Sequence, residues 1–507
     1  MLMLNRYFRI RISIVVSSVL SGMILCQPAI AQDAAAVFAA FEQSVVDVVS
    51  RAERSVVAVA RIPLRTERID RQPARRPFGP RALNGNDPLS PEFAPQEFGA
   101  GILMSQPGNP DSRFVLTNYH VVAGGRPFLN DGTVTSDARL TVRIDQTRAA
   151  WASIYAADPR SDLAVLAIDN ENFTKALKER PVLSIPESVT IRKGQFVLSL
   201  GNPYAIARDG SPSVSQGMIS NVSRVPLFKA SRDEQTLHEF GTLLHVDTRL
   251  GPGASGGALL NSTGQLIGIT TSLAALEGYE STVGYAIPLH GQMKRIVDEL
   301  LNGYEVEYGF LGVQPAGLAM DGFRNSPRAQ VLGVRVGSVV PDSPAHRAGL
   351  RQQEFIRAVN GVRLFSYRDL FREIGLLEPG TNAHLHVVGR NGQRFVDVKI
   401  AKWPVRIPDR IIVAKYRQTP WRGLRVDWPA ARLKFFDAEA PYPLAVVVKT
   451  VEPNSPAEAA GLRPGDLIHR VAGRAVETPQ EFTRAVKALQ GNVRLELAEG
   501  KTATIQP

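Results

Sequence analysis

The chain has 507 residues, 44% of them hydrophobic and 21% charged, with a formal net charge of +11 and a single cysteine. That length is too great for one core and fits about three domains at ~150 residues each, while the composition is that of a soluble globular protein. One cysteine excludes a disulfide framework, and 42 glycines with 35 prolines favour short strands and turns over long helices.

In chain order, the first segment stands apart. Arg6, Arg9 and Arg11 precede an apolar run from Ile12 to Leu25, and the stretch ends in the small-x-small triplet Ala29-Ile30-Ala31. The run is shorter than the ~20 residues a spanning helix needs, so it reads as a secretory signal peptide cut after Ala31. An uncleaved anchor is the alternative. Leu25 before Cys26 argues against lipid attachment, which wants a small residue there. Cleavage would remove the cysteine and leave an exported chain of charge +8 with no thiol chemistry.

Apolar positions at helical spacing predict an amphipathic helix over 33–56, and "SVVAVARI" predicts a strand. Residues 51 to 82 hold nine arginines against Glu53, Glu67 and Asp70, a patch suited to anionic lipid or an acidic partner. A solvated arginine-rich loop is the plainer reading. Residues 66–98, rich in proline and arginine, predict a long loop, and no nucleic-acid-binding signature accompanies them.

From Gly99 to Pro288 short β-branched runs alternate with turns: "GAGILMS", "RFVLTNY", "LTVRID", "AVLAI", "QFVLSLG", "LLHVD", "QLIGITT" and "VGYAIP". This spacing predicts an antiparallel sandwich or barrel, closed by a helix in "LHGQMKRIVDELLNG". Beyond it lies a repeat. Residues 339–364 align without gaps on 451–476, with twelve of 26 positions identical. Each copy is followed by a helical stretch and then strand-like sequence.

Chemistry enters at "GPGASGGALL" (251–260), where glycines flank Ser255. A serine nucleophile needs a base, and the base needs a group to hold its tautomer. "VLTNYHVVAGG" places His120 at the end of a predicted strand, and "AADPRSDLAVLAI" places Asp162 just before an apolar one. An acidic residue entering a buried strand is costly unless paired. The order His120, Asp162, Ser255 is that of chymotrypsin-type barrels.

The set TN-x-HVV, DP-x-x-DLAVL and G-x-SGGAL resembles the HtrA (Deg) family of exported serine proteases, and the repeat resembles the PDZ domains such proteases carry. The resemblance implies a mainly β chain: a chymotrypsin-like double β-barrel in 32–303, α+β PDZ domains in 304–404 and 421–507, and a linker over 405–420. It implies Ser255 as nucleophile, His120 as base, Asp162 as its orienting partner, and the amides of Gly253 and Ser255 as the oxyanion hole. Leu250, Ile269, Thr270 and Thr271 would line a pocket for a small or medium aliphatic side chain. Arg249, six residues before the serine, makes lysine or arginine specificity improbable, and whether it enters the pocket is open. Ala254 stands where the family usually has asparagine. Gly309, Phe310, Leu311 and Gly312 would form the carboxylate loop of the first PDZ, with Gly423 and Leu424 as the weaker counterpart in the second.

The implied activity is ATP-independent endoproteolysis of unfolded or damaged proteins in the periplasm, by a trimer or higher oligomer formed through the N-terminal helix. C-termini or hydrophobic segments would engage the PDZ domains. A holdase chaperone with a closed protease site is the alternative, and a regulatory protease cutting one membrane substrate a third. No cofactor or metal is expected: there is no nucleotide-binding loop, and His384 and His386 lack partners at ligand spacing.

Overall fold

The computed structural model describes residues 27–64, 87–123, 138–202, 211–224, 240–271, 284–316, 333–404, 412–415, 420–429 and 441–507, apart from positions 92 and 169. Most of the predicted signal segment, and 65–86 of the predicted loop, lie outside them. Helix α1 (Gln27–Ala52) crosses the Ala31–Gln32 bond and ends in a short 3-10 turn.

Six strands build the first barrel: β1 (Val56–Pro63), β2 (Glu97–Gln106), β3 (Asn109–Asn118), β4 (Ala138–Arg143), β5 (Ala149–Asp158) and β6 (Leu163–Ile168). Their order is β5-β4-β1-β2-β3-β6, and pairing of β5 with β6 closes the ring. Helix α2 (Tyr119–Ala123) follows β3, and α3 (Glu171–Lys178) follows β6. A second closed barrel, ordered β10-β11-β12-β9-β8-β7, comes from β7 (Phe196–Gly201), β8 (Ser213–Arg224), β9 (Leu243–Val246), β10 (Ala258–Asn261), β11 (Leu266–Thr271) and β12 (Gly284–Pro288). Helix α4 (Gln292–Leu301) buries Ile296, Val297, Leu300 and Leu301. One core joins the barrels, with Ile102, Leu116 and Val165 of the first meeting Leu198, Leu260 and Ile269 of the second.

Strands β5, β8 and β10 escape the sequence reading. β5 is alanine-rich and β8 largely polar, so neither carries the β-branched alternation that marks a strand; β10 is four residues long.

The first repeat contains β13 (Gly309–Phe310), β14 (Val313–Pro315), β15 (Val334–Val339), α5 (Pro344–Arg347), β16 (Phe355–Val359), β17 (Val362–Arg363), α6 (Tyr367–Gly375), β18 (Asn382–Gly389), β19 (Gly392–Lys399) and β20 (Ala401–Lys402). Next comes β21 (Val413–Ala414). The second repeat contains β22 (Leu424–Asp427), β23 (Val446–Val451), α7 (Pro456–Ala459), β24 (Leu467–Val471), β25 (Arg474–Ala475), α8 (Pro479–Val486), β26 (Val493–Leu497) and β27 (Thr502–Ile505). The sheets run β14-β15-β16-β18-β19 and β22-β23-β24-β26-β27. Equivalent turns confirm the repeat's register: the Gln353 amide donates to Val336 O and the Gly465 amide to Val448 O, both at 2.8 Å. Gln353 adopts φ +72° where its counterpart is glycine.

Two features depart from the sequence reading of organisation. Val306 and Tyr308, beyond the expected end of the protease domain, pack in the core between the barrels. The expected linker contributes β21, which pairs with Ala156 and Ala157 of β5. Part of the arginine patch is also internal. Arg61 is buried and pairs with Glu97 at 2.6 Å, so it offers no charge to a lipid surface.

Candidate active site and peptide grooves

His120 lies on α2, turned inward by the strand that precedes it. Asp162 closes the tight β5–β6 loop, where it adopts φ +55°, a left-handed conformation uncommon outside glycine. Both residues are buried, and His120 Nδ1 lies 3.0 and 2.9 Å from the two carboxylate oxygens of Asp162. The His120 backbone amide donates to the same carboxylate at 3.0 Å, while Asn118 Nδ2 and the Tyr119 amide donate to the Asp162 carbonyl. An ionised carboxylate only accepts, so in this pair Nδ1 is the donor to Asp162.

Ser255 sits in the turn before β10, and its carbonyl accepts the Ala100 amide at 2.7 Å. A Cβ on Gly99 would meet Val121, the neighbour of His120, at 2.8 Å and Ser255 O at 2.9 Å. The start of β2 is therefore wedged between the histidine turn and the serine turn, and only glycine fits there. Gly253 has φ +90°, and a Cβ on it would lie 2.4 Å from the Phe98 ring and 2.5 Å from Asn202 O. Glycine alone lets the main chain take this bend. Thr270 Oγ1 donates to the Ala254 carbonyl, and the Gly256 amide to the Thr270 carbonyl, tying the turn to β11.

Of the expected pocket residues, Leu250 is buried, with Cδ1 3.0 Å from where a Gly284 Cβ would be. Thr271 faces Tyr285 in the β11–β12 register. Ile269 belongs to the core between the barrels, and the Thr270 hydroxyl is spent on Ala254. Arg249 is exposed between buried Thr248 and Leu250, so its charge faces solvent.

In the first repeat Gly309 and Phe310 pair with Lys402 and Ala401, and Leu311 is buried in that repeat's core. Gly312 has φ +87°, and its carbonyl accepts Ser343 Oγ at 3.4 Å. Beside this loop a cavity of about 330 Å³ runs between β14 and α6, lined by Phe310, Leu311, Tyr367, Phe371, Ile374 and Trp403 among others. The second repeat differs. Gly423 has φ +80° and Leu424 is buried, but Trp421 packs edge-on against Phe482 of α8. Arg422 is held by the carbonyls of Gly491 and Ile505.

Fold and site together define the class: a trypsin-like serine endopeptidase with two appended PDZ domains. A trypsin-like peptidase domain model matches residues 99–269, and a PDZ domain model matches 335–385 and 447–499. A probable periplasmic serine endoprotease DegP-like of Chlamydia trachomatis is 30% identical over 403 residues, covering 79% of this chain and 72% of the relative. The protein of that name from Chlamydia pneumoniae is 29% identical over 458 residues, covering 89% and 87%. Among solved structures, HtrA-type protease AlgW with decapeptide is 25% identical, covering 71% of this chain and 99% of its own, with a TM-score of 0.46. The chain belongs to the DegP-like family of HtrA serine endoproteases.

Proposed function

We propose that Ser255 attacks the peptide carbonyl, that His120 Nε2 takes its proton and returns it to the leaving amine, and that Asp162 holds the imidazole and stabilises its charged form. The observation that carries this reading is the buried His120–Asp162 pair beside a serine turn whose glycine, Gly253, is locked in a left-handed bend. That bend suits an amide aimed, with that of Ser255, at the developing oxyanion. The pocket falls to Leu250 and Thr271, and an aliphatic residue fits it better than a charged one.

The enzyme acts on unfolded or damaged proteins in the periplasm, the compartment in its relatives' names. Polypeptide C-termini enter the first PDZ groove by strand addition alongside β14. Val37, Phe38 and Phe41 leave an exposed apolar face on α1, which supports assembly of protomers, as a trimer, through that helix.

The test is hydrolysis of casein by residues 32–507, wild type against Ser255→Ala, with no ATP or metal added. Cleavage by the wild type and none by the variant is the expected result. Equal cleavage by both overturns the nucleophile, and equal inertness of two folded proteins transfers the reading to a holdase.

A further inference from the structure

The loop that carries Asp162 is held from outside the barrels. Asp158, Arg160, Ser161 and Asp162 are each at most 3% exposed, so their charges must be satisfied by protein. The Asp158 carboxylate is the hub. It accepts Arg160 Nε at 2.8 Å, the Ser161 amide at 3.0 Å and the Tyr308 hydroxyl at 2.5 Å. Arg160 in turn donates to the Val306 carbonyl at 2.7 Å and stacks its guanidinium over the Tyr308 ring, 4.4 Å from the centroid. On the other face of the loop, the Asp162 amide donates to Pro159 O, closing the turn at the residue with φ +55°.

Val306 and Tyr308 precede β13, in the segment that leads into the first PDZ groove. A barrel cut off before them would bury Asp158 with one donor fewer and Arg160 with one acceptor fewer. Burial and the negative Asp158 together hold the Tyr308 hydroxyl well above its ordinary range, so it stays a donor. Phe240 stacks on the Tyr308 ring at 4.6 Å and fixes its plane. The alanines of β5 just before Asp158 are paired to β21, so the loop's entry is braced by a second segment from beyond the barrels.

We infer that Tyr308 is a positioning residue for peptide hydrolysis: its bond to Asp158 fixes the 158–162 turn so that the Asp162 carboxylate meets His120 Nδ1. The inference rests on the reading of Asp162 as the partner of the base. A bond to a buried carboxylate, remade badly, displaces the turn, and small displacements of a triad member cost rate more than binding.

The experiment compares Tyr308→Phe in the wild-type and Asp162→Asn backgrounds of the full mature chain, using a quenched-fluorescent peptide with an aliphatic residue at the cut. Phenylalanine keeps the ring between Phe240 and Arg160. In the wild-type background kcat falls roughly tenfold with KM within about twofold. In the Asp162→Asn background the same change costs less than about twofold, because its route is already broken. Unchanged kcat in the folded single variant, or an equal loss in both backgrounds, overturns the inference. If Asp162→Asn alone leaves kcat intact, the reading of the triad fails instead. Should Tyr308→Phe not fold, Asp158→Asn, which weakens the Tyr308 bond by removing the charge it is made to, is scored on the same criteria.

Discussion

At the scale of single residues, the turn proposed to hold the oxyanion is tightly constrained. Gly253 combines φ +90° with an aromatic ring and a carbonyl oxygen inside 2.6 Å of any Cβ. Gly253→Ala must rotate the peptide that precedes it or push Phe98 aside, and either motion swings the amide away. The expected outcome is a fall in kcat of about 10²–10³-fold, the usual worth of one oxyanion donor, with KM little changed. Steady-state kinetics on a short peptide check it; a variant within about twofold of wild type would show that this amide takes no part. The proposed triad, His120, Asp162 and Ser255, could be drawn from the sequence because each sits in a motif whose chemistry needs that residue type, in the order of chymotrypsin-type barrels; the structure adds the contact between His120 and Asp162. Tyr308 could not, since 150 positions separate it from Asp158 and nothing local marks it. Ile269 misled for the opposite reason: it lies in the same strand as Thr271, but it is fully buried and belongs to the core between the barrels.

At the scale of elements, the two PDZ copies share a fold and differ in what their grooves hold. Both were legible from twelve shared identities, yet the difference lies in side chains the repeat does not share. In the first copy α6 presents Tyr367 and Phe371 to an open cavity that Trp403 completes from beyond β20. In the second, Trp421 and Phe482 close on one another. Peptide capture is therefore expected at the first copy. Phe371→Glu places a charge in that apolar groove, and should weaken binding of a peptide with a free hydrophobic C-terminus at least tenfold by fluorescence titration. Labelling of Ser255 by a fluorophosphonate should proceed at the wild-type rate. Undiminished peptide binding would move the capture site elsewhere, with the second copy the next to test.

At the scale of the whole molecule, what joins the domains is a buried charge cluster that no motif announced. Lys402 of the first PDZ is 1% exposed, and its Nζ lies 2.9 Å from Glu307, 3.0 Å from Asp427 and 3.4 Å from Glu305. Lys449 of the second PDZ adds contacts of 3.2 Å to both Glu305 and Asp427. Burial alone would drive the Lys402 ammonium toward neutrality, but Asp427, Glu305 and Glu307 hold it well above the ordinary lysine range. Beside it Phe310 stacks on Tyr442, and the Tyr442 amide donates to Pro341 O, so the second PDZ also leans on the first by packing. The carboxylates come from the barrel exit and the second PDZ, and the lysines from the two PDZ domains; the cluster is satisfied only when all three bodies meet. Removing one partner of such a cluster is costlier than never having built it, because the remaining charges stay buried. Lys402→Met keeps the length and apolar stem of the side chain while leaving three carboxylates facing one ammonium. The expected result is a loss of about 3–5 kcal/mol at the junction, the cost of breaking a buried pair. Because each PDZ retains its own core, that loss should appear as undocking rather than global unfolding: an earlier, separate transition in calorimetry and faster proteolytic cutting within 405–420. A single transition at the wild-type temperature, with wild-type proteolysis, would mean that packing at Phe310 and Tyr442 holds the domains and the charges merely accompany it.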